Sequence, residues 1–190
     1  MQSERPDSED PLERRAVSSV RGGDPSAYDY LVQKYLRRTL SIVWGIVRNS
    51  HDAEDLAQEA FVRAYERIDR FREGQPFGPW VYRIATNLAL DLVKHRRRVR
   101  SEEVDESLPA PDRTDAAAES NEAARRIDLA LRSLPGQQGL VARLYLVEGL
   151  SHAEIAATAG LSEGTVRSHL SLARRKLQEI LRDVRTGDGR

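Results

Sequence analysis

The 190-residue chain contains no cysteine. Disulfide frameworks, thiolate zinc sites, iron–sulfur clusters and cysteine nucleophiles are thereby excluded, and redox chemistry loses its usual ligands. The chain also lacks any run of about eighteen apolar residues, the length a helix needs to cross a bilayer. Charged residues make up 32% and apolar residues 39%, a composition that fits water-exposed helices and excludes membrane insertion. The opening MQSERPDSEDPLERR carries acids and arginines where a secretory signal needs an apolar core. No targeting segment is visible, so a cytoplasmic protein is expected. At 21.4 kDa the chain is too short for a large enzyme and suits one medium domain or two small ones.

Net charge is absent as well, with 30 basic residues balancing 30 acidic ones. The balance conceals a segregation. Residues 1–25 carry −2, 26–100 carry +5, 101–124 carry −7 and 125–190 carry +4. The bridge SEEVDESLPAPDRTDAAAESNE has two prolines, no aromatic residue, and only Val104 and Leu108 as larger apolar groups. Such a segment cannot offset its own ordering entropy and reads as a flexible acidic linker. Residues 1–25 are similar in composition and read as a mobile tail, and 183–190 read as a second tail. Fully extended, the bridge would reach roughly 80 Å.

What is present is helical periodicity, with no competing strand pattern. In 26–100, Ser26 and Asp29 open a helix whose apolar positions are Tyr28, Leu31, Val32, Tyr35, Thr39, Ile42, Val43 and Ile46. Asp52 with Asp55 opens a second, with Leu56, Ala60, Phe61, Ala64 and Ile68 on one face and Asp55, Gln58, Glu59, Val62 and Glu66 on the other. A third begins at Gly78-Pro79 and buries Val81, Ile84, Ala85, Leu88 and Leu92. Away from that stripe lie Trp80, Arg83, Asn87, Asp91 and Lys94, and the helix runs out into KHRRRVR. A ring to stack on an unpaired base, an amide for a base edge and cations for phosphates suit nucleic acid, although a tryptophan at this spacing also serves as core.

The second block carries helix-turn-helix punctuation. Ser151 with Glu154 forms a capping box before SHAEIAATA, Gly160 permits the turn, and Ser162 caps EGTVRSHLSLARRKLQEIL. Ala156 is small where the two helices cross, and Ile155, Leu161, Val166 and Leu170 fill the wedge between them. The second helix turns Arg167, Ser168, Ser171 and Arg174 outward, toward where a major groove would lie. His51 and His95 do not supply the Glu-x-x-His pairs of a di-metal bundle, and His152-Ala153-Glu154 lacks the second histidine of H-E-x-x-H. No metal or cofactor is expected, and His152 and His169 read as surface residues.

Taken in order, AEDLAQEAFVRAYERIDRF, FGPWVYRIATNLALDLVKHRRR and LRSLPGQQGLVARLYLVEGLSHAEIAATAGLSEGTVRSHLSLARRKL resemble the extracytoplasmic-function (ECF) class of bacterial sigma factors over residues 26–100 and 125–182. The resemblance implies an all-α protein of two small helical domains, sigma regions two and four. It implies a factor without an active site that binds core RNA polymerase through both large subunits, directs it to promoters and helps melt DNA. By the same resemblance Asp55, Gln58 and Glu59 meet a coiled coil of the largest subunit. Trp80, Arg83, Asn87, Lys94, Arg96, Arg97 and Arg98 meet melted minus-ten DNA, and the loop from Phe71 to Phe77 traps an unpaired base. Arg167, Ser168, Ser171 and Arg174 meet the minus-thirty-five element. His169 and Leu172 depart from the arginines many relatives carry there. An anti-sigma factor is a further implied partner. The competing reading is an autonomous helix-turn-helix regulator, which normally needs a dimer to gain two half-sites; no dimerising coiled coil is apparent. A small helical hydrolase finds no nucleophile or metal constellation.

Overall fold

The computed structural model describes residues 10–72, 74–102 and 122–187. Among them it forms eight α-helices in two compact units that divide near residue 112. The first unit holds α1 (Pro11–Arg21), α2 (Tyr28–Val47), α3 (Ser50–Glu66) and α4 (Phe77–Glu102).

From Asp10 on, the first helix corrects the reading of 1–25 as a mobile tail; residues 1–9 lie outside the described residues. Asp10 caps α1 by accepting from the Leu12 N–H at 2.9 Å, and Pro11 occupies the first turn, where a missing N–H costs nothing. Ala16, Val17 and Val20 then share one buried face. Glu13 is buried with them, at 5% exposure. A charge at such depth needs partners. The Glu13 carboxylate accepts from the Tyr35 hydroxyl, from Lys34 Nζ at 3.1 Å, and from the Phe77 N–H at 2.6 Å. At the far end of α1, Arg21 reaches the Ile68 carbonyl with Nε at 3.1 Å and Nη2 at 3.0 Å, and also the Phe71 carbonyl.

The core of this unit lies between α2, α3 and α4. From α3 it takes Ala53, Ala57, Ala60 and Ala64, small residues that let neighbouring helices approach closely. From α2 it takes Leu31, Ile42 and Val43, and from α4 Phe77, Val81, Tyr82, Ala85 and Ala89. Two expected boundaries shift. The cap of α3 is Asn49, whose side chain accepts from the Asp52 N–H at 2.9 Å. The fourth helix starts at Phe77, ahead of Gly78-Pro79, and its buried stripe is rotated toward Tyr82 and Thr86, leaving Ile84, Leu88 and Leu92 half-buried. The larger ring area of Phe77 and Tyr82 sets that rotation, since buried apolar area is the main gain in folding.

The second unit holds α5 (Glu122–Arg132), α6 (Gly136–Leu146), α7 (His152–Ala159) and α8 (Glu163–Gly187). Leu131, Leu134, Ala142 and Ala173 pack together at its centre, with Leu177 against them. Asp128 holds two arginines, Arg132 at 3.0 Å and the buried Arg143. The capping box forms as expected: the Ser151 N–H donates to Glu154 at 2.7 Å and the Glu154 N–H to Ser151 Oγ at 3.2 Å. Gly160 takes the left-handed conformation, φ +68, that the turn requires. Ser162 Oγ accepts from the Thr165 N–H at 3.1 Å and so starts α8. Of the expected linker, 103–121 lie outside the described residues, while 101–102 and 122–124 belong to α4 and α5. The expected second tail is helical as far as Gly187.

A Cβ at Gly78 would lie 2.7 Å from Tyr35 Cε1 and 3.3 Å from Tyr82 Cε2. The Tyr35 ring is pinned by its bond to Glu13 and cannot yield, so Gly78→Ala should destabilise the unit by about 1–3 kcal/mol through overpacking, offset in part by helix propensity. Denaturant melts should show a lower midpoint with the slope unchanged.

The Asp10 carboxyl is held at about 2 against an ordinary 3.8, chiefly by its hydrogen bond from Lys34, with Tyr30 adding to it. A carboxylate depressed in the folded state contributes stability that is whole above its ordinary pKa and is lost as pH falls through the folded value. Between about pH 4 and pH 2 this contribution should therefore disappear. Asp10→Asn keeps the cap acceptor without the charge, and should flatten that part of the acid limb in melts recorded across the window.

Candidate functional site

Three exposed surfaces carry the residues that the sequence singles out. On α3, Asp55, Gln58 and Glu59 are all exposed, on the side opposite the alanine row that faces the core. Asp55 lies 3.4 Å from His51 Nδ1, and Glu59 lies 2.5 Å from Arg63. Both pairs are exposed neighbours on one helix, worth at most about 0.5 kcal/mol each, so the acids stay available to a partner. Beside them α2 and α3 leave an apolar groove of about 580 Å³, lined by Val32, Leu36, Leu40, Phe61, Val62 and Tyr65, with Glu54 and Gln58 on its rim. Val62 is 50% and Tyr65 42% exposed. An apolar residue among acids on an outward helix face, as Val62 is, is the one sequence signal of this groove.

On α4 the stripe divides. Arg83, Asn87, Lys94, Arg97 and Arg98 are exposed, with Asp91 3.7 Å from Lys94 and Arg98 3.4 Å from His95 Nδ1. Trp80 is half-buried, its ring 5.1 Å from that of Phe71 and 5.5 Å from that of Phe77. The underside of the ring therefore packs as core while part of it stays accessible. Arg96 is different. Its guanidinium meets both oxygens of Asp52, at 2.6 and 2.9 Å, and this hydrogen bonding raises the Arg96 pKa further. The fork-on-fork pair ties the end of α4 to the start of α3, while the Arg96 side chain stays about half exposed at 52%.

Phe71 and Phe77 also depart from expectation. Phe77 is fully buried and Phe71 is 7% exposed. Phe77 lies 5.7 Å from Tyr35 and 6.3 Å from Tyr28, so neither phenylalanine presents a ring to an unpaired base. The physical reason is the early start of α4, which makes Phe77 the first inward position of the helix.

On α8, Arg167, Ser168, Ser171 and Arg174 are exposed together. Glu163 lies 3.7 Å from Arg167, and the Ser168 hydroxyl donates to the Gly164 carbonyl at 3.1 Å. A groove of about 380 Å³ at their side is lined by Tyr145, His152, Leu170 and Leu177 among others, with the Tyr145 and His152 rings 5.6 Å apart. His152 and His169 are half-buried, not surface residues, because α8 turns His169 partly inward and Tyr145 covers His152. Among the described residues no three His, Asp or Glu side chains are grouped to hold a metal ion, and no helix is long and apolar enough to cross a membrane.

Comparison with known proteins agrees in both units. Residues 31–99 match the family model of Sigma-70 region 2, and residues 124–177 match that of Sigma-70, region 4. The chain is 36% identical over 166 residues to the ECF RNA polymerase sigma factor SigE of Mycolicibacterium smegmatis, a match covering 84% of this chain and 64% of that one. It is 32% identical over 187 residues to the RNA polymerase sigma-H factor of Pseudomonas aeruginosa, covering 90% of this chain and 97% of that factor. Among solved structures, CnrH in complex with the cytosolic domain of CnrY matches 91% of this chain and 99% of its own, at 25% identity and a TM-score of 0.70. These matches favour an initiation factor over an autonomous regulator. With both sigma regions in order on an all-α fold, the chain belongs to the ECF RNA polymerase sigma factors.

Proposed function

We propose that the α3 face docks this sigma factor on core RNA polymerase, that the α4 stripe engages melted minus-ten DNA, and that α8 reads the minus-thirty-five element. The observation that carries this reading is the sorting of exposed chemistry by helix. Acids beside an apolar groove line α3, a half-exposed ring with an amide and cations lines α4, and arginines with hydroxyls line α8. A groove with an acidic rim suits an amphipathic helix carrying basic residues. Single-stranded DNA takes stacking, amide and phosphate contacts of the α4 kind, and a major groove admits one helix of the α8 kind. The polymerase supplies the chemistry and this chain supplies recognition, in the cytoplasm where both meet. The same exposed faces suit an anti-sigma factor that holds the protein inactive, and the similarly folded sigma factor RpoE of Bartonella quintana is solved in complex with the anti-sigma factor NepR.

Reversal of the two exposed acids tests the docking assignment. The double variant Asp55→Lys, Glu59→Lys should keep its helicity while its affinity for core falls by about a hundredfold, since like charges forced together at an interface cost several kcal/mol. Fluorescence titration against core polymerase measures it, and unchanged affinity would remove α3 from the interface.

Recognition by α8 has its own signature. Arg167→Ala should cost about 1–3 kcal/mol on the upstream element when core is present, and the penalty should shrink once the contacted base is changed. A phosphate contact would lose affinity evenly across sequences. Gel shifts with and without core, on promoters differing only in that element, separate the two, and tight specific binding by the protein alone would restore the autonomous-regulator reading.

A further inference from the structure

We propose that α1 is the brace that sets the loop between α3 and α4 for strand opening, with Arg21 and Glu13 as its positioning residues. The inference rests on the reading of the α4 stripe as the surface meeting melted minus-ten DNA.

The two ends of α1 hold the two ends of the loop. At one end the Arg21 guanidinium bonds the carbonyls of Ile68 and Phe71, fixing the backbone where it leaves α3. At the other, Glu13 accepts the Phe77 N–H at 2.6 Å, where the backbone enters α4. That N–H is one of the donors a helix start leaves without an internal partner, so Glu13 acts as a cap supplied from 64 residues away. Both clamps grip main-chain atoms and set the path of the loop whatever side chains it carries. Between them support is thin. A cavity of about 210 Å³ separates α1 from the loop, lined by Glu13, Val17, Ser18, Phe71 and Gln75 among others.

The loop path matters because Trp80 rests on it. The ring of Phe71 lies 5.1 Å from that of Trp80, and the carbonyl of Phe71 is the one Arg21 holds. Releasing that carbonyl loosens the backbone at Phe71, whose ring, packed on Phe77 at 5.7 Å, forms the surface beneath the half-exposed Trp80. Small misplacements of this kind are costly to a positioned reaction without changing the groups that take part in it. Glu13 is fixed in turn by Tyr35 and Lys34, so the brace is anchored to α2 and does not follow the loop.

The test uses the full chain with core polymerase. Arg21→Ala should leave core affinity unchanged and slow open-complex formation on duplex promoter by about tenfold, and on a pre-melted promoter it should reduce discrimination among minus-ten bases to within about twofold. Glu13→Gln, which keeps an acceptor for the Phe77 N–H, should retain discrimination that Glu13→Ala loses. Asn87→Ala, exposed on α4, is the control for the underlying reading. If Asn87→Ala slows opening and Arg21→Ala does not, the brace is refuted alone. If neither slows it, the reading of α4 fails and the brace with it. A purely structural role would lower melting temperature, core affinity and opening together, and would equally overturn the proposal. Should Arg21→Ala lose helicity, Arg21→Met replaces it, because methionine keeps the apolar stem but has no N–H to give either carbonyl: retained discrimination would refute the brace.

Discussion

Four rings meet Phe77: Tyr28 at 6.3 Å, Tyr35 at 5.7 Å, Phe71 at 5.7 Å and Trp80 at 5.5 Å. With its side chain fully enclosed, Phe77 cannot turn outward without emptying the centre of the first unit. Its inward direction therefore fixes the phase of α4. Val81, Ala85 and Ala89 follow it inward, and Arg83, Asn87 and Lys94 are left facing solvent by the same geometry. The exposed stripe of α4 is thus a consequence of the core, and its alignment is as firm as the packing of one aromatic residue.

Legibility in the sequence tracks the range of each interaction. The capping box of Ser151 and Glu154 and the turn at Gly160 are contained within ten residues, and they appear as expected. The sorting of Asp55, Gln58 and Glu59 to the surface follows from local periodicity in the same way. Phe77, Arg96 and α1 depart from their sequence reading for a common reason. The partner of Arg96 is 44 residues away, that of Arg21 is 47 away, and that of Glu13 is 64 away. A basic run such as KHRRRVR shows which residues could meet phosphate, but nothing in it marks the one that a distant carboxylate claims. A short acidic segment reads as a tail until the carboxylate inside it finds its donors.

Charge in this protein is therefore of two kinds. Asp52 with Arg96, Asp10 and Glu13 with Lys34, and Asp128 with Arg143 join elements of the fold. Arg83, Arg97, Arg167 and Arg174 remain exposed. Exposed cations of the second kind exchange counterions for phosphate most readily, so the salt dependence of DNA binding reflects where the cations sit as well as how many the sequence contains. A formal charge of zero says little about a molecule whose charges are sorted in this way.

The remote cap on α4 also orders events in time. A ribosome adds about 5–20 residues per second, so the amide of Phe77 is made roughly three to thirteen seconds after the carboxylate that receives it. Through that interval Glu13 sits on the apolar side of α1 beside Ala16, Val17 and Val20, and Lys34, 21 residues on, is the earlier of its partners to emerge. The first helix synthesised is among the last to be satisfied. Early docking of α1 on α2 through Lys34 and Tyr35 leaves one carboxylate oxygen waiting for the start of α4, whose first backbone N–H closes the set before the rest of that helix fills the core.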